Sequence, residues 1–252
     1  MNVNIDGKIY EGIKGDTIMD LARRNNITIP NLCYKAGFEG LGRCRLCMVE
    51  VNESNKPKLV SACIYSVKEN LEVKTTTEKI YKIRQDIILL LLLRTPNNEY
   101  IRQLADEYNV KPPKRYLSSN LNENCILCGL CVKACASMGT NAISMVQRGI
   151  TKKVSTPYDD SSKDCIGCGA CAEICPTKAI ILKDNNGVRE IWNKSFNLIK
   201  CSCCGEFFTT EQCLNYINKK TNNYETENQI LCEKCKRKSI GEKFKESFKN
   251  YY

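Results

Sequence analysis

The chain of 252 residues contains no histidine. That absence removes Rieske centres, His-ligated haem, Cys2His2 zinc sites and the commonest general base. No N-terminal stretch has the charged, apolar and small-residue order of a secretory leader; MNVNIDGKIYEGIKGD is polar and strand-like. The longest apolar run, residues 87–93, is far too short to span a bilayer. A glycine fingerprint for dinucleotides, set between a strand and a helix, is missing as well. Catalysis by this chain alone is therefore the weakest expectation, and membrane insertion is not expected.

Cysteine, by contrast, is abundant, with 18 in the chain. Without a leader, such clustering points to a reducing cytoplasm and to metal ligation rather than disulfides. Two runs dominate: CILCGLCVKAC from Cys125 to Cys135, and CIGCGACAEICP from Cys165 to Pro176. Each reads C-x2-C-x2-C-x3-C, the spacing that wraps a loop round a cubane iron–sulfur cluster and lends its fourth cysteine to the neighbouring cluster. One 4Fe–4S cluster is thus expected on Cys125, Cys128, Cys131 and Cys175, and a second on Cys165, Cys168, Cys171 and Cys135. Gly129, Gly167 and Gly169 let backbone amides approach the sulfurs.

A third tetrad lies upstream, with C-x10-C-x2-C-x15-C spacing: Cys33, Cys44, Cys47 and Cys63. It follows two short alternating strands with a turn at Asp6-Gly7, then a helix, TIMDLARRNNI, capped by Asp16 or Thr17. Strands, a helix and a long cysteine loop describe a small β-grasp domain. With thiolates as the available ligands, a 2Fe–2S cluster is expected there; the first gap is unlike a compact zinc knuckle. Gly37, Gly40 and Gly42 permit a tight path round it.

The stretches IPNLCY, GLGRCRLCMVEV and LVSAC resemble the N-terminal 2Fe–2S domain shared by three groups of proteins. These are the large iron–sulfur subunit of respiratory complex I, multi-domain iron-only hydrogenases, and NAD-linked formate dehydrogenases. The likeness continues through both cubane motifs to about residue 183. Many relatives place a further cluster, bound by one His and three Cys, between the modules. The corresponding stretch, residues 78–110, has neither residue. It reads instead as helices over about 78–93 and 98–108, with residues 87–93 as a core stripe pinning the modules together rather than a docking stripe. The resemblance implies an electron-transfer arm whose catalytic domain is missing.

Two further knuckles, Cys201/Cys204 and Cys232/Cys235, suit one tetrahedral site, read as a zinc ribbon with another iron–sulfur cluster as the alternative. Cys203 and Cys213 are left over, and either could substitute. Residues 209–229 read as a helix and a polar loop, and the tail as a short amphipathic helix.

The expected fold is α+β in four parts: a 2Fe–2S domain over 1–77, a helical linker over 78–118, a 2×4Fe–4S domain over 119–185 and a zinc-ribbon-like segment over 186–252. The expected function is an iron–sulfur subunit of a soluble, cytoplasmic oxidoreductase complex. It would relay electrons between an NAD(P)H-oxidising flavoprotein or a ferredoxin and a catalytic subunit. By resemblance, that subunit would be a hydrogenase, a formate dehydrogenase or a flavin-based transhydrogenase. A free-standing polyferredoxin is the alternative. The net charge of +10 is spread along the chain, and only the KCKRK patch at 234–238 supports nucleic-acid binding, which is not expected.

Overall fold

The computed structural model describes residues 1–53, 56–113, 123–222 and 230–249, with side chains to residue 245. The expected boundary at 118/119 and the polar loop after the 211–221 helix lie outside the described residues. The chain divides into two compact units, which interleave in sequence. The first comprises Met1–Ala134, Met145–Val154 and Glu173–Ala179; the second comprises Cys135–Ser144, Ser155–Ala172 and Ile180–Tyr252.

The first unit begins with a hairpin of β1 (Asn2–Ile5) and β2 (Lys8–Glu11). Asp6 (φ 50°) and Gly7 (φ 86°) both take the left-handed conformation that a tight two-residue hairpin turn needs. Helix α1 (Ile18–Arg24) follows; the Thr17 hydroxyl accepts from the Asp20 amide while the Asp20 carboxylate accepts from the Thr17 amide. After the cysteine loop come β3 (Met48–Glu53), β4 (Lys56–Ser61) and β5 (Leu71–Lys74). The sheet order is β2-β1-β5-β3-β4, with β5 parallel to β1 and antiparallel to β3. Alternating residues Val3, Ile5, Val49, Val51, Leu71 and Val73 point inward and pack on Ile18, Leu21 and Ala22 of α1.

Helix α2 (Glu78–Arg94) and helix α3 (Glu99–Glu107) form a corner capped by Thr77 and Asn98. Ile88 and Leu92 of α2 are buried with Ile101 and Ala105 of α3, in one core with Leu32, Cys33, Leu46, Ile126 and Cys128. The apolar stripe therefore serves the core, as its sequence suggests. Leu90, at 67% exposure, points away from it.

The chain continues through α4 (Leu130–Met138), the paired strands β6 (Ser144–Val146) and β7 (Lys153–Ser155), and α5 (Ala170–Glu173). The second unit ends in a four-stranded sheet that the cysteine pattern does not delineate: β8 (Lys183–Asn185), β9 (Val188–Ile191), β10 (Lys194–Lys200) and β11 (Phe207–Thr210). Its order is β11-β10-β9-β8, every pairing antiparallel. Helix α6 (Glu211–Thr221) starts on Thr210, whose side chain accepts from the Cys213 amide. The final helix, α7 (Glu233–Lys249), begins inside the last cysteine knuckle, so KCKRK is helical and the tail helix is longer than expected. No helix among the described residues is long and apolar enough to cross a membrane.

Candidate metal centres

The upstream tetrad sits where the α1–β3 loop returns to the sheet. Cys33, Cys47 and Cys63 are buried, and Cys44 is partly so. The Sγ atoms of Cys47 and Cys63 are 3.5 Å apart, and the Cys44 amide donates to Cys33 Sγ at 3.4 Å. Thiol contacts with Cys44 and Cys63, then backbone amides, hold Cys33 well below the usual thiol range. The same contacts push Cys44 and Cys63 up, because uncharged thiols cannot all ionise together. Four crowded thiols with a donor aimed at one of them suit a cationic cluster core. The loop leaves no slack: a Cβ on Gly40 would lie 1.8 Å from the Cys63 carbonyl oxygen. Arg45, between two of the cysteines, takes φ 58°, a strained turn for a side-chain-bearing residue.

Two arginines of α2 hold the neighbouring backbone. Arg84, 3% exposed, donates to the carbonyls of Leu46 at 3.2 Å, Met48 at 3.0 Å and Thr75 at 2.9 Å. Arg94, at the other end of the helix, donates to the Cys125 carbonyl at 2.7 Å. Asn98 joins it, with its side-chain amide donating to the Thr177 carbonyl at 2.9 Å. These residues fix both cysteine loops of the first unit. No metal-ligand spacing announces them in sequence.

The paired runs repeat one backbone device. Leu127 (φ 55°) and Gly167 (φ 67°) occupy equivalent left-handed positions, as do Gly129 (φ 85°) and Gly169 (φ 79°). Beyond each fourth cysteine the repetition holds. Asn141 (φ 48°) precedes Ala142, whose amide donates to Cys135 Sγ at 3.2 Å; Lys178 (φ 50°) precedes Ala179, whose amide donates to Cys175 Sγ at 3.3 Å. Cys125, Cys128, Cys131 and Cys175 fall in the first unit, and Cys135, Cys165, Cys168 and Cys171 in the second.

Burial pushes the Cys128 thiol up to about 11 and Cys131 up to about 12, with neighbouring thiols adding to the effect. Cys171 rises to about 11 for the same first reason. Buried thiols this costly to ionise suit a site whose metal supplies the compensating positive charge. In the second unit the four cysteines line a small apolar hollow of about 20 Å³ together with Ile143, Ile166, Ile191 and Trp192.

At the C-terminal knuckles the Sγ atoms of Cys201, Cys204, Cys232 and Cys235 all lie within 4.8 Å of one another. A tetrahedron with metal–sulfur bonds of about 2.3 Å has sulfurs about 3.8 Å apart. The Cys204–Cys232 separation is 3.8 Å. The Cys232 amide donates to Cys201 Sγ at 3.3 Å, and this and further amides bring Cys201 down to about 6. The donor set thus fits a single thiophilic ion. Cys203 is exposed beside this site and makes contact with the Cys235 thiol, while Cys213 is buried on α6, where Cys168 and Arg189 influence it.

Comparison with known proteins places names on these regions. Residues 1–78 match the 2Fe-2S iron-sulfur cluster binding domain, and residues 124–179 match the 4Fe-4S dicluster domain. The NADPH-Fe(3+) oxidoreductase subunit alpha of Geobacter sulfurreducens is 32% identical over 206 residues, covering 73% of this chain and 24% of that protein. The NADP-reducing hydrogenase subunit HndD of Solidesulfovibrio fructosivorans is 28% identical, covering 72% of this chain and 36% of that protein. The NADH-ubiquinone oxidoreductase 75 kDa subunit of Reclinomonas americana is 28% identical over 211 residues, covering 73% and 29%. The chain spans about a quarter to a third of the length of these relatives. A crystal structure of an NAD+-reducing [NiFe]-hydrogenase shares the fold with a TM-score of 0.59, at 23% identity over 71% of this chain and 85% of the other. The chain therefore carries both kinds of iron–sulfur domain, and its homologues are oxidoreductase subunits.

Proposed function

We propose that this chain is the electron-relay subunit of an oxidoreductase complex, lying between an NAD(P)H-linked flavoprotein, or a ferredoxin, and a catalytic subunit. One 2Fe–2S cluster on Cys33, Cys44, Cys47 and Cys63 and two 4Fe–4S clusters on the crossed tetrads would supply reversible one-electron chemistry. The observation that carries this reading is the sharing of a buried core. Cys33 and Cys44 of the upstream tetrad pack in the same cluster of side chains as Cys128 of the first cubane tetrad. That packing supports a relay, because it sets two candidate redox centres within one compact unit.

The chain's own residues do three things in this reading. Amides of Cys44, Leu127, Ala142 and Ala179 donate to ligand sulfurs and favour the reduced, more negative state. Arg84, Arg94 and Asn98 hold the ligand loops in place. Ile126, Leu130 and the α2 stripe keep water from the space between tetrads. The sheet order β2-β1-β5-β3-β4 with α1 packed on it supports a β-grasp assignment for the first region. The C-terminal tetrad is read as a structural zinc site that closes a segment too small to fold unaided.

Anaerobic purification tests this directly, with iron, sulfide and zinc quantified beside EPR of the reduced protein. About ten irons and one zinc per chain, with one 2Fe–2S and two interacting 4Fe–4S signals, are expected. About fourteen irons and no zinc would move the C-terminal site into the relay. Iron far below ten after anaerobic reconstitution would refute the function.

A further inference from the structure

The 2Fe–2S and dicluster domain matches end at residues 78 and 179, and nothing in them accounts for the sheet that follows. Within the second unit, that sheet is built onto the Cys165–Cys171 loop. Lys194 Nζ donates to the carbonyls of Ser162 at 3.0 Å and Cys165 at 2.8 Å. Arg189 donates to the Gly167 carbonyl at 3.1 Å, and Thr210 Oγ1 to the Ile166 carbonyl at 2.5 Å. Phe196, the largest fully buried side chain among the described residues, lies so close over Gly167 that a Cβ there would come within 2.7 Å of its ring.

One contact reaches a ligand itself. The indole Nε1 of Trp192, the chain's single tryptophan, donates to Cys171 Sγ at 3.4 Å. The backbone that delivers it is strained. Trp192 (φ 53°) and Asn193 (φ 56°) form the two-residue turn between β9 and β10, where Ile191 pairs with Lys194. Such turns favour Asn-Gly, and the preceding hairpin uses that pair, Asn186 (φ 48°) and Gly187 (φ 80°). A bulky side chain at positive φ is an outlier that persists only where the surroundings enforce it. The same turn could be made without strain by glycine. What the tryptophan adds is an N–H aimed at a ligand sulfur.

We propose that the C-terminal sheet is a redox-tuning cap, with Trp192 as the positioning residue that raises the potential of the cluster on Cys135, Cys165, Cys168 and Cys171. This rests on the cluster assignment above. A donor to a ligand sulfur stabilises the more negative, reduced cluster more than the oxidised one, so it raises the midpoint.

The experiment is an EPR-monitored redox titration of the full chain and of Trp192→Phe, which keeps an aromatic ring and loses the N–H. The expected result is a lower midpoint for one 4Fe–4S cluster, by about tenfold in its reduction equilibrium, or ~59 mV for one electron. The other 4Fe–4S and the 2Fe–2S midpoints should stay put, with iron content unchanged. Unshifted midpoints at full iron content overturn the proposal while leaving the cluster assignment intact. Absence of the second 4Fe–4S cluster from the wild-type chain overturns the assignment beneath it. Tryptophan fluorescence of the wild-type protein gives an independent reading should Trp192→Phe lose its cluster. Emission from this lone indole should be almost wholly quenched in the loaded protein and recover when a chelator strips the iron. Bright emission from the iron-loaded protein overturns the proposal.

Discussion

Replacing Arg84 by Met keeps most of the side-chain volume but removes the guanidinium that spans three carbonyls at 2.9 to 3.2 Å. Each buried acceptor left without a partner costs about 1–3 kcal/mol. Against this, the substitution recovers part of the cost of burying a charge that pairs with no carboxylate among the described residues. Burial is also the main influence that lowers the Arg84 pKa. The balance is a loss of about 3–5 kcal/mol, large beside the ~5–15 kcal/mol that holds a typical domain. It falls on the stretch carrying Leu46 and Met48, which flank Cys47. Urea unfolding under anaerobic conditions, followed by the 2Fe–2S circular dichroism signal, measures it. With a slope of about 2–3 kcal/mol per molar, the midpoint should fall by roughly 1.5 M. Arg84→Lys should recover only part, since an ammonium cannot form the planar fork. A midpoint for Arg84→Met indistinguishable from wild type would refute the claim that this buried cation organises the upstream centre.

Gly40→Ala, which must push its methyl into the Cys63 carbonyl, should abolish the 2Fe–2S EPR signal and leave both 4Fe–4S signals. Gly37→Ala meets no neighbouring atom and only the strain of φ 86°, so it should cost about 1–2 kcal/mol of stability and retain the cluster. Cys175→Ala and Cys135→Ala should each delete a different 4Fe–4S cluster, the first-unit cluster in one case and the second-unit cluster in the other, as resolved by EPR of the two variants. Cys232→Ser should release the C-terminal ion, read as zinc by elemental analysis, while the iron content stays unchanged.

The ligands of every proposed centre were legible because metal coordination is written locally. C-x2-C spacing, the glycines between and the fourth cysteine downstream follow from the turn a loop must make round a metal. The first hairpin and α1 were legible for the same reason, since Asp6-Gly7 and the Thr17–Asp20 box are signals only a few residues long. The residues that hold the loops were not. Arg84 acts on a carbonyl 38 positions away, and Arg94 on one 31 positions away. In sequence both are ordinary cations of an amphipathic helix. The C-terminal sheet is an intermediate case. Asn186-Gly187 is a strong hairpin signal between alternating residues, yet cysteine spacing alone assigns the segment to a ribbon and passes over it.

Trp192 is illegible for a sharper reason. Turn chemistry argues against tryptophan at its position, and only the proximity of Cys171 Sγ gives the choice a purpose. A residue that breaks a local rule is a place to look for a long-range one. In the proposed relay the cysteines specify where electrons can reside, and their spacing is readable. The potentials that decide which way electrons move depend on donors delivered to the sulfurs from elsewhere. Several of those donors are loop amides whose positions follow from the motifs. Another comes from a strained turn in a sheet that lies beyond both matched domains. In the proposed relay the C-terminal region is tied to electron transfer through the Trp192 contact with Cys171, whatever ion its own four cysteines hold.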